Sequence, residues 1–474
     1  MLRLKDFHKK LTLLIIAGVW IFLLIEGRVL SSRVLASDHN DNTLRKGPYL
    51  IYEGKNTEMT VLWQLYRKSE CQIRWGIDAS HLSQRAKTVE YGNDHQHAYT
   101  LKNLELGRKY AYQVIVDDEK YSGSVYAAPD KNVKKLKFMA YGDSRSHPEI
   151  HNKVAAGVVS TYTTNKDFQT LIISSGDLVK FGAEESEWDE QLFDPAWAMI
   201  GKMMANLPFQ SCLGNHELYY KDYKKIDYSL RLFKKYFPYP YVKHAYWSFD
   251  YGPAHFIMLD QYYYQEVMKK LKEIKTTHEM LEIDTRKLEE KVRDLEKRDV
   301  KRAAKYRKKA DMALAKAENV RKEMDRLEKQ FQKSINIQLS WIEKDLASST
   351  KIWKFLIYHE PGWSAGGSYA HSNNTVVQRY VQPLMERYRV SMAFAGHNHY
   401  YARALVRGVH HITTGGGGAP LYNPRNNRPN VITSSKAHHF CKVEIEGNIL
   451  RFNSVKPDGT VIDTFTIKKE ERER

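Results

Sequence analysis

Short apolar runs alternate with amphipathic stretches along residues 135–395, and this rhythm organises most of the chain. The candidate strands are LKFMAY (136–141), TLIISS (170–175), FQSCL (209–213), AHFIML (254–259), KFLIY (354–358) and VSMAFA (390–395). Strands interleaved with helical patterns predict an α/β domain. Residues 47–130 follow a different rule. There MTVLWQL (59–65) and YAYQVIV (110–116) alternate apolar and polar with period two, which predicts short strands of a small β-sandwich. Packing and positioning is the role expected of that sandwich.

A third pattern interrupts the α/β rhythm. Residues 265–335 contain neither Gly nor Pro and are dense in charge. Val267, Leu271, Ile274, Leu281, Leu288, Val292 and Leu295 keep alternating three/four spacing, with His278 and Thr285 on the same seam. A second seam runs through Ala303, Tyr306, Ala310, Ala313, Ala317, Val320, Met324, Leu327 and Phe331. The seams fall out of phase near Asp299-Val300. This predicts an inserted antiparallel helical hairpin, a coiled coil with arms of roughly 45–50 Å at about 1.5 Å per residue. A single long helix is the rival, but the chain has to return to the α/β core. The basic run KRAAKYRKKA (301–310) is either a solvated face or an arm tip that meets an anionic surface or protein partner.

At the amino terminus Arg3, Lys5, Lys9 and Lys10 precede the apolar run Leu11–Ile25. That run is short for a membrane span, which needs about 20 residues, and suits a signal h-region. Val34-Leu35-Ala36 offers a cleavage site, so residues 1–36 read as a signal peptide or an uncleaved membrane anchor. Either way the remainder is exported, to the periplasm or the outside, because the basic flank stays behind.

Composition adds bounds. At 474 residues more than one domain is expected, and 42% hydrophobic with 12% aromatic content describes a folded chain. A net charge of +18 favours anionic ligands. Three widely spaced cysteines, Cys71, Cys212 and Cys441, exclude a zinc ribbon and a disulfide framework. Nucleic acid is suggested by charge alone, and export argues against it.

The chemistry sits at the strand ends. Asp143 follows in GDS, Asp177 in GDLVKFG, Asn215-His216-Glu217 in GNHE, His359 in YHEP, and His397 and His399 in GHNH. Ligands of open α/β sheets gather at the carboxyl ends of strands. Oxygen donors first and imidazoles later form a donor set for two borderline divalent ions rather than a thiolate site.

The order GD…GD…GNHE…H…GHxH resembles the calcineurin-like metallophosphoesterases. With the tyrosine-corner pattern Leu104, Gly107, Tyr110 and Tyr112, which resembles a fibronectin type III domain, the chain is most similar to the purple acid phosphatase branch. QLSWIEKDL (338–346), GHNHYYAR (396–403) and TTGGGGAPLY (413–422) extend the resemblance. It implies a multi-domain protein: a β-sandwich at 47–130, a four-layer αββα catalytic domain at 135–264 and 336–466, and the hairpin at 265–335 between them.

The resemblance further implies two divalent metal ions (Mn, Zn or Fe), one held by Asp143, His399 and a bridging Asp177, the other by Asp177, Asn215, His359 and His397. His216 would contact phosphate or protonate the leaving oxygen, with Glu217 orienting it. His371 is either a second substrate contact or a loop histidine without a role. The implied reaction is hydrolysis of a small phosphoester by metal-activated hydroxide. The competing reading is an inert scaffold whose hairpin mediates protein or membrane-surface interaction.

Two positions depart from the family pattern. Lys180 stands where purple enzymes place a metal-binding tyrosine, so their ferric site is not implied here. Arg145 stands where other branches place a histidine ligand. It either clamps a phosphate oxygen, pairs with a structural acid, or marks weakened binding of the first metal. His147 is the candidate replacement ligand.

Overall fold

The computed structural model describes residues 43–425 and 427–470, and from Arg45 onward they form one compact unit. The expected leader, 1–36, lies outside the described residues. Among the described residues no helix is long and apolar enough to cross a membrane.

The N-terminal domain consists of two four-stranded sheets. One orders Leu44–Ile51, Met59–Leu65, Gln96–Leu101 and Glu90–Tyr91; the other Gln84–Thr88, Cys71–Gly76, Lys109–Val116 and Glu119–Tyr126. Trp75 of the second sheet meets Tyr99 of the first at 5.3 Å between ring centres. At the expected tyrosine corner, the Glu105 amide donates to the Tyr110 hydroxyl at 3.0 Å. Tyr112 serves another purpose, because its hydroxyl donates to the Ala205 carbonyl of the α/β domain at 2.8 Å. Arg45 forks onto Asp189 at 3.0 and 2.7 Å, and the fully buried Lys46 ammonium reaches Glu185 at 2.9 Å. Buried, hydrogen-bonded charge of this kind fixes orientation more than it adds stability.

The α/β domain places two sheets face to face. The first orders Phe209–Ser211, Ile172–Ser174, Lys135–Tyr141, Phe440–Glu446, Ile449–Val455 and Val461–Lys468. The second orders Trp247–Tyr251, Ala254–Met258, Trp353–Ile357, Met392–Ala395, Val409–Thr414, Tyr401–Val406 and Val431–Ser435. Phe138 of the first sheet lies 5.2–6.2 Å from Phe256, Phe355 and Phe394 of the second, an aromatic layer that holds the sheets together. Helix Pro148–Thr164 buries Val154, Val158 and Tyr162, and Tyr141 of the first sheet bonds His151 on that helix at 2.9 Å. Ile342, Leu346, Val381, Leu384 and Met385 cover the second sheet.

The charged segment forms two helices, Gln265–Glu296 and Val300–Ser348, that pack together. Lys275 reaches Glu328 at 2.7 Å and Lys291 lies 5.0 Å from the Tyr306 ring, pairings that only an antiparallel arrangement produces. Asp299 caps the second helix by accepting from the Arg302 amide at 3.0 Å. Leu271, Thr285, Val292, Ala303, Ala310, Ala317 and Leu327, all predicted seam positions, are buried. The arms differ in length: 32 residues against 49, about 48 Å against about 74 Å. The longer one runs unbroken past residue 336 onto the second sheet, so the base of the helix pair and the α/β domain share one continuous helix. Gln338 locks that base by exchanging two hydrogen bonds with the Asp260 backbone, at 3.0 and 2.7 Å.

Candidate metal and substrate site

Three adjacent parallel strands of the first sheet end in Asp143, Asp177 and the Asn215–Glu217 turn. Strands Trp353–Ile357 and Met392–Ala395 of the facing sheet end in His359, His397 and His399. The chain turns sharply at each end: Asp143, Asp177 and His397 have φ of 55°, 58° and 65°, the left-handed region that residues with a Cβ adopt rarely. A Cβ on Gly214 would collide with Asp177 Oδ1, and one on Gly396 with Asp143 Oδ2. The glycine before each motif therefore lets a neighbouring ligand approach.

The six predicted metal residues converge. Asp143, Asp177 and His359 present ligand atoms within 4.8 Å of one another, and all three are buried. His359 Nε2 lies 3.3 Å from Asp177 Oδ2 and 3.2 Å from His397 Nδ1, which is 3.0 Å from Asn215 Oδ1. His399 Nε2 lies 3.5 Å from Asp143 Oδ1. Backbone carbonyls set the tautomers. Nδ1–H of His359 donates to Ser175 O at 2.7 Å, that of His399 to Pro420 O at 2.8 Å, and that of His216 to Lys180 O at 2.6 Å. Each ring thereby turns its Nε2 toward the carboxylates, and in His359 that nitrogen can ligate a metal once it gives up the proton that Asp177 and Asp143 favour.

Arg145 lies within the ligand cluster. Its Nε donates to Asp177 Oδ2 at 3.1 Å and its Nη2 to His399 Nε2 at 3.2 Å. His147 does not join the cluster; it is half-exposed and meets Glu149 at 3.2 Å. His371 is exposed at the rim, its ring centre 3.9 Å from that of His397.

Glu217 does not orient His216. Its carboxylate faces away and accepts from the amides of Asp177, Leu178 and Gly214 at 3.0, 2.7 and 2.7 Å, which ties the second motif to the third. The orienting group is instead the Lys180 carbonyl. Glu217→Ala should leave three buried amides unsatisfied at about 1–3 kcal/mol each, and a melting curve should show a large fall in Tm. An unchanged Tm would return Glu217 to a catalytic role.

Burial would raise both aspartates. It carries Asp143 up to about 7, helped by the Asp177 charge, whereas His359, His216 and Arg145 hold Asp177 well below the usual range. Burial alone would lower His359, but Asp177 and Asp143 raise it to about 10. Burial pushes His216 down to about 4 and His399, beside Arg145, down to about 3. A metal ion requires His359 unprotonated, so binding at pH 8 must expel a proton and the affinity must fall as pH falls. Calorimetric titrations with Mn²⁺ in two buffers of different ionisation enthalpy should give different heats. Identical heats would contradict this.

Several supporting residues escaped the sequence reading. Gln261 Oε1 accepts from the amides of both His359 and Glu360, at 2.9 and 2.6 Å. Gln191 Oε1 braces the first two motifs through the Ser146 and Lys180 amides at 2.9 and 3.0 Å. Tyr422 stacks on His399 at 4.1 Å. A lone amide or phenol in a loop or a five-residue helical turn carries no periodicity, and only Gln261, three residues past a strand, lies near a position that draws notice.

The chain and its fold also match known proteins. A family model described as calcineurin-like phosphoesterase matches residues 156–401, more than half of the chain. A protein of Arabidopsis thaliana named probable inactive purple acid phosphatase 1 is 29% identical in an alignment 164 positions long that covers 29% of this chain and 27% of that protein. The chain thus aligns with about a quarter of that relative's length. Among solved structures, the purple acid phosphatase PPD1 from yellow lupin (Lupinus luteus) seeds matches with a TM-score of 0.62 and 18% identity, covering 90% of this chain and 75% of that one. PhoD matches with a TM-score of 0.56 and 11% identity over 92% of each chain. At these identities the structural likeness speaks to the fold.

Proposed function

We propose that this chain, which belongs to the calcineurin-like phosphoesterase family, is an exported metal-dependent hydrolase of small phosphoesters. One observation carries the reading: oxygen and imidazole donors from two sheets converge on a buried point, with the His359 and His399 rings oriented by backbone carbonyls. Asp177, Asn215, His359 and His397 fit one divalent ion, the mixed set that Mn²⁺, Zn²⁺ or Fe²⁺ accepts. Such an ion supplies Lewis-acid stabilisation of phosphoryl charge and acidifies water. The fit is poorer for a second ion at Asp143, Asp177 and His399, because Arg145 already donates to two of those three groups.

The remaining steps belong to side chains. His216 Nε2 lies 4.0 Å from Asp177 Oδ2 and, once protonated, can donate to the leaving oxygen while the Lys180 carbonyl holds the ring. Arg145, which still carries N–H donors beyond those given to Asp177, Ser146 and His399, and the rim ring of His371 are the residues proposed to contact phosphate. The two-sheet N-terminal domain, which we take as fibronectin type III-like, braces this domain through Arg45, Lys46 and Tyr112.

The test is hydrolysis of an aryl phosphate monoester and a diester by the chain without residues 1–36, with Mn²⁺ or Zn²⁺ added. No metal-stimulated turnover on either would overturn the reading.

The word inactive in the Arabidopsis relative's name favours an inert core, which is one half of the second reading, a scaffold that works through its helix pair. Replacing residues 275–328, whose ends face each other through the Lys275–Glu328 pair, with a short Gly/Ser linker separates the two. A hydrolase should keep small-substrate turnover within about threefold, since the removed segment lies beyond the braced base. Loss of turnover in a folded variant would favour the scaffold.

A further inference from the structure

We infer that the Arg145 guanidinium takes the place of a second metal ion, so that the site works with one divalent ion and one built-in cation. This rests on the metal-dependent reading above. A second ion would need lone pairs from Asp143, Asp177 and His399. The Arg145 Nε–H points at Asp177 Oδ2 from 3.1 Å, and the Nη2–H at His399 Nε2 from 3.2 Å. Because His399 Nδ1–H is committed to Pro420 O at 2.8 Å, Nε2 is the ring's only acceptor, and the guanidinium uses it. A metal ion and the guanidinium cannot share that lone pair, and two cations at this distance repel.

The side chain is not a surface arginine that happens to lean inward. It is 12% exposed, against 1% for Asp177. Its own amide donates to the Asp177 carbonyl at 3.2 Å, and its Nη1 reaches Ser146 Oγ at the same distance. Gln191 then pins the Ser146 amide at 2.9 Å. The loop is therefore held in the geometry that delivers the guanidinium. Its charge offsets the two buried carboxylates where an ion would otherwise do so, and the planar fork suits a phosphoryl oxygen. The half of the donor set built from Asn215, His359 and His397 has no such competitor among the described residues, and it keeps the ion.

Metal stoichiometry tests this independently of turnover. Purified protein without residues 1–36 should bind one Mn²⁺ per chain by equilibrium dialysis with elemental analysis. Its electron paramagnetic resonance spectrum should show the six lines of an isolated Mn²⁺. Arg145→His, which removes the fork and adds an imidazole, should bind two, with the spectrum of a coupled pair. Arg145→Ala is the second variant; it should raise the affinity for a second Mn²⁺ at least about tenfold over wild type. Two coupled ions in the wild type would overturn the inference and leave the hydrolase reading intact. So would one ion in wild type and in both folded variants, because the guanidinium would then not be what excludes the second. Absence of any bound Mn²⁺ in the wild type would overturn the metal-dependent reading, and this inference with it.

Discussion

Asp177→Asn should reduce turnover by about 10³-fold or more and weaken Mn²⁺ binding by at least about 100-fold, with the fold intact. The reasoning starts from what the carboxylate does. Oδ1 accepts the His216 amide at 2.9 Å, a contact that an asparagine carbonyl reproduces. Oδ2 receives Arg145 at 3.1 Å and faces His359 Nε2 at 3.3 Å. An amide nitrogen at Oδ2 would turn a donor toward the guanidinium and toward the metal, and the negative charge that holds both would be gone. The position is also buried, so water cannot replace that charge. Calorimetric titration with Mn²⁺ and steady-state assays on an aryl phosphate measure the two effects. Wild-type metal affinity in a folded Asp177→Asn protein would place the ion elsewhere.

His216→Asn should lower kcat by about 10²–10⁴-fold while Mn²⁺ affinity stays within about threefold. The His216 ring makes no hydrogen bond to the ligand cluster: its Nε2 lies 4.0 Å from Asp177 Oδ2, and its Nδ1–H is spent on the Lys180 carbonyl. On the proposed reading the ring would serve the reacting oxygen rather than the ion. The split between kcat and metal affinity separates the two roles. Equal loss of both would make His216 a ligand.

Much of this was legible beforehand. All six apolar runs became strands with ends within three residues of those expected, because buried strands demand apolar residues whatever else the fold does. The hairpin turn lies at Lys297–Asp299, where the two seams lose phase, since helix packing reads a periodicity that is written locally. The far end of the hairpin was less legible. The helix runs on to Ser348 because Ile342 and Leu346 pack on the second sheet, and that contact is long-range.

The candidate site divides in the same way. The identity of the donors Asp143, Asp177, Asn215, His359, His397 and His399 is a property of the sequence, since each follows a strand and donor chemistry belongs to residue type. Their direction is not. Glu217 and His216 are adjacent, yet one side chain ties backbone amides together behind the site and the other faces the carboxylates, because the turn at Asn215 sends them opposite ways. Arg145 shows the same limit most sharply. Its sequence position left three roles open, and only the packing of its loop against Gln191 and Asp177 sets the guanidinium between a carboxylate and an imidazole. The sequence by itself determined which groups could bind metal and phosphate and which strands would carry them. The tertiary structure decided which of them share a point in space, because that depends on two sheets meeting through Phe138, Phe256, Phe355 and Phe394, contacts that no local pattern encodes.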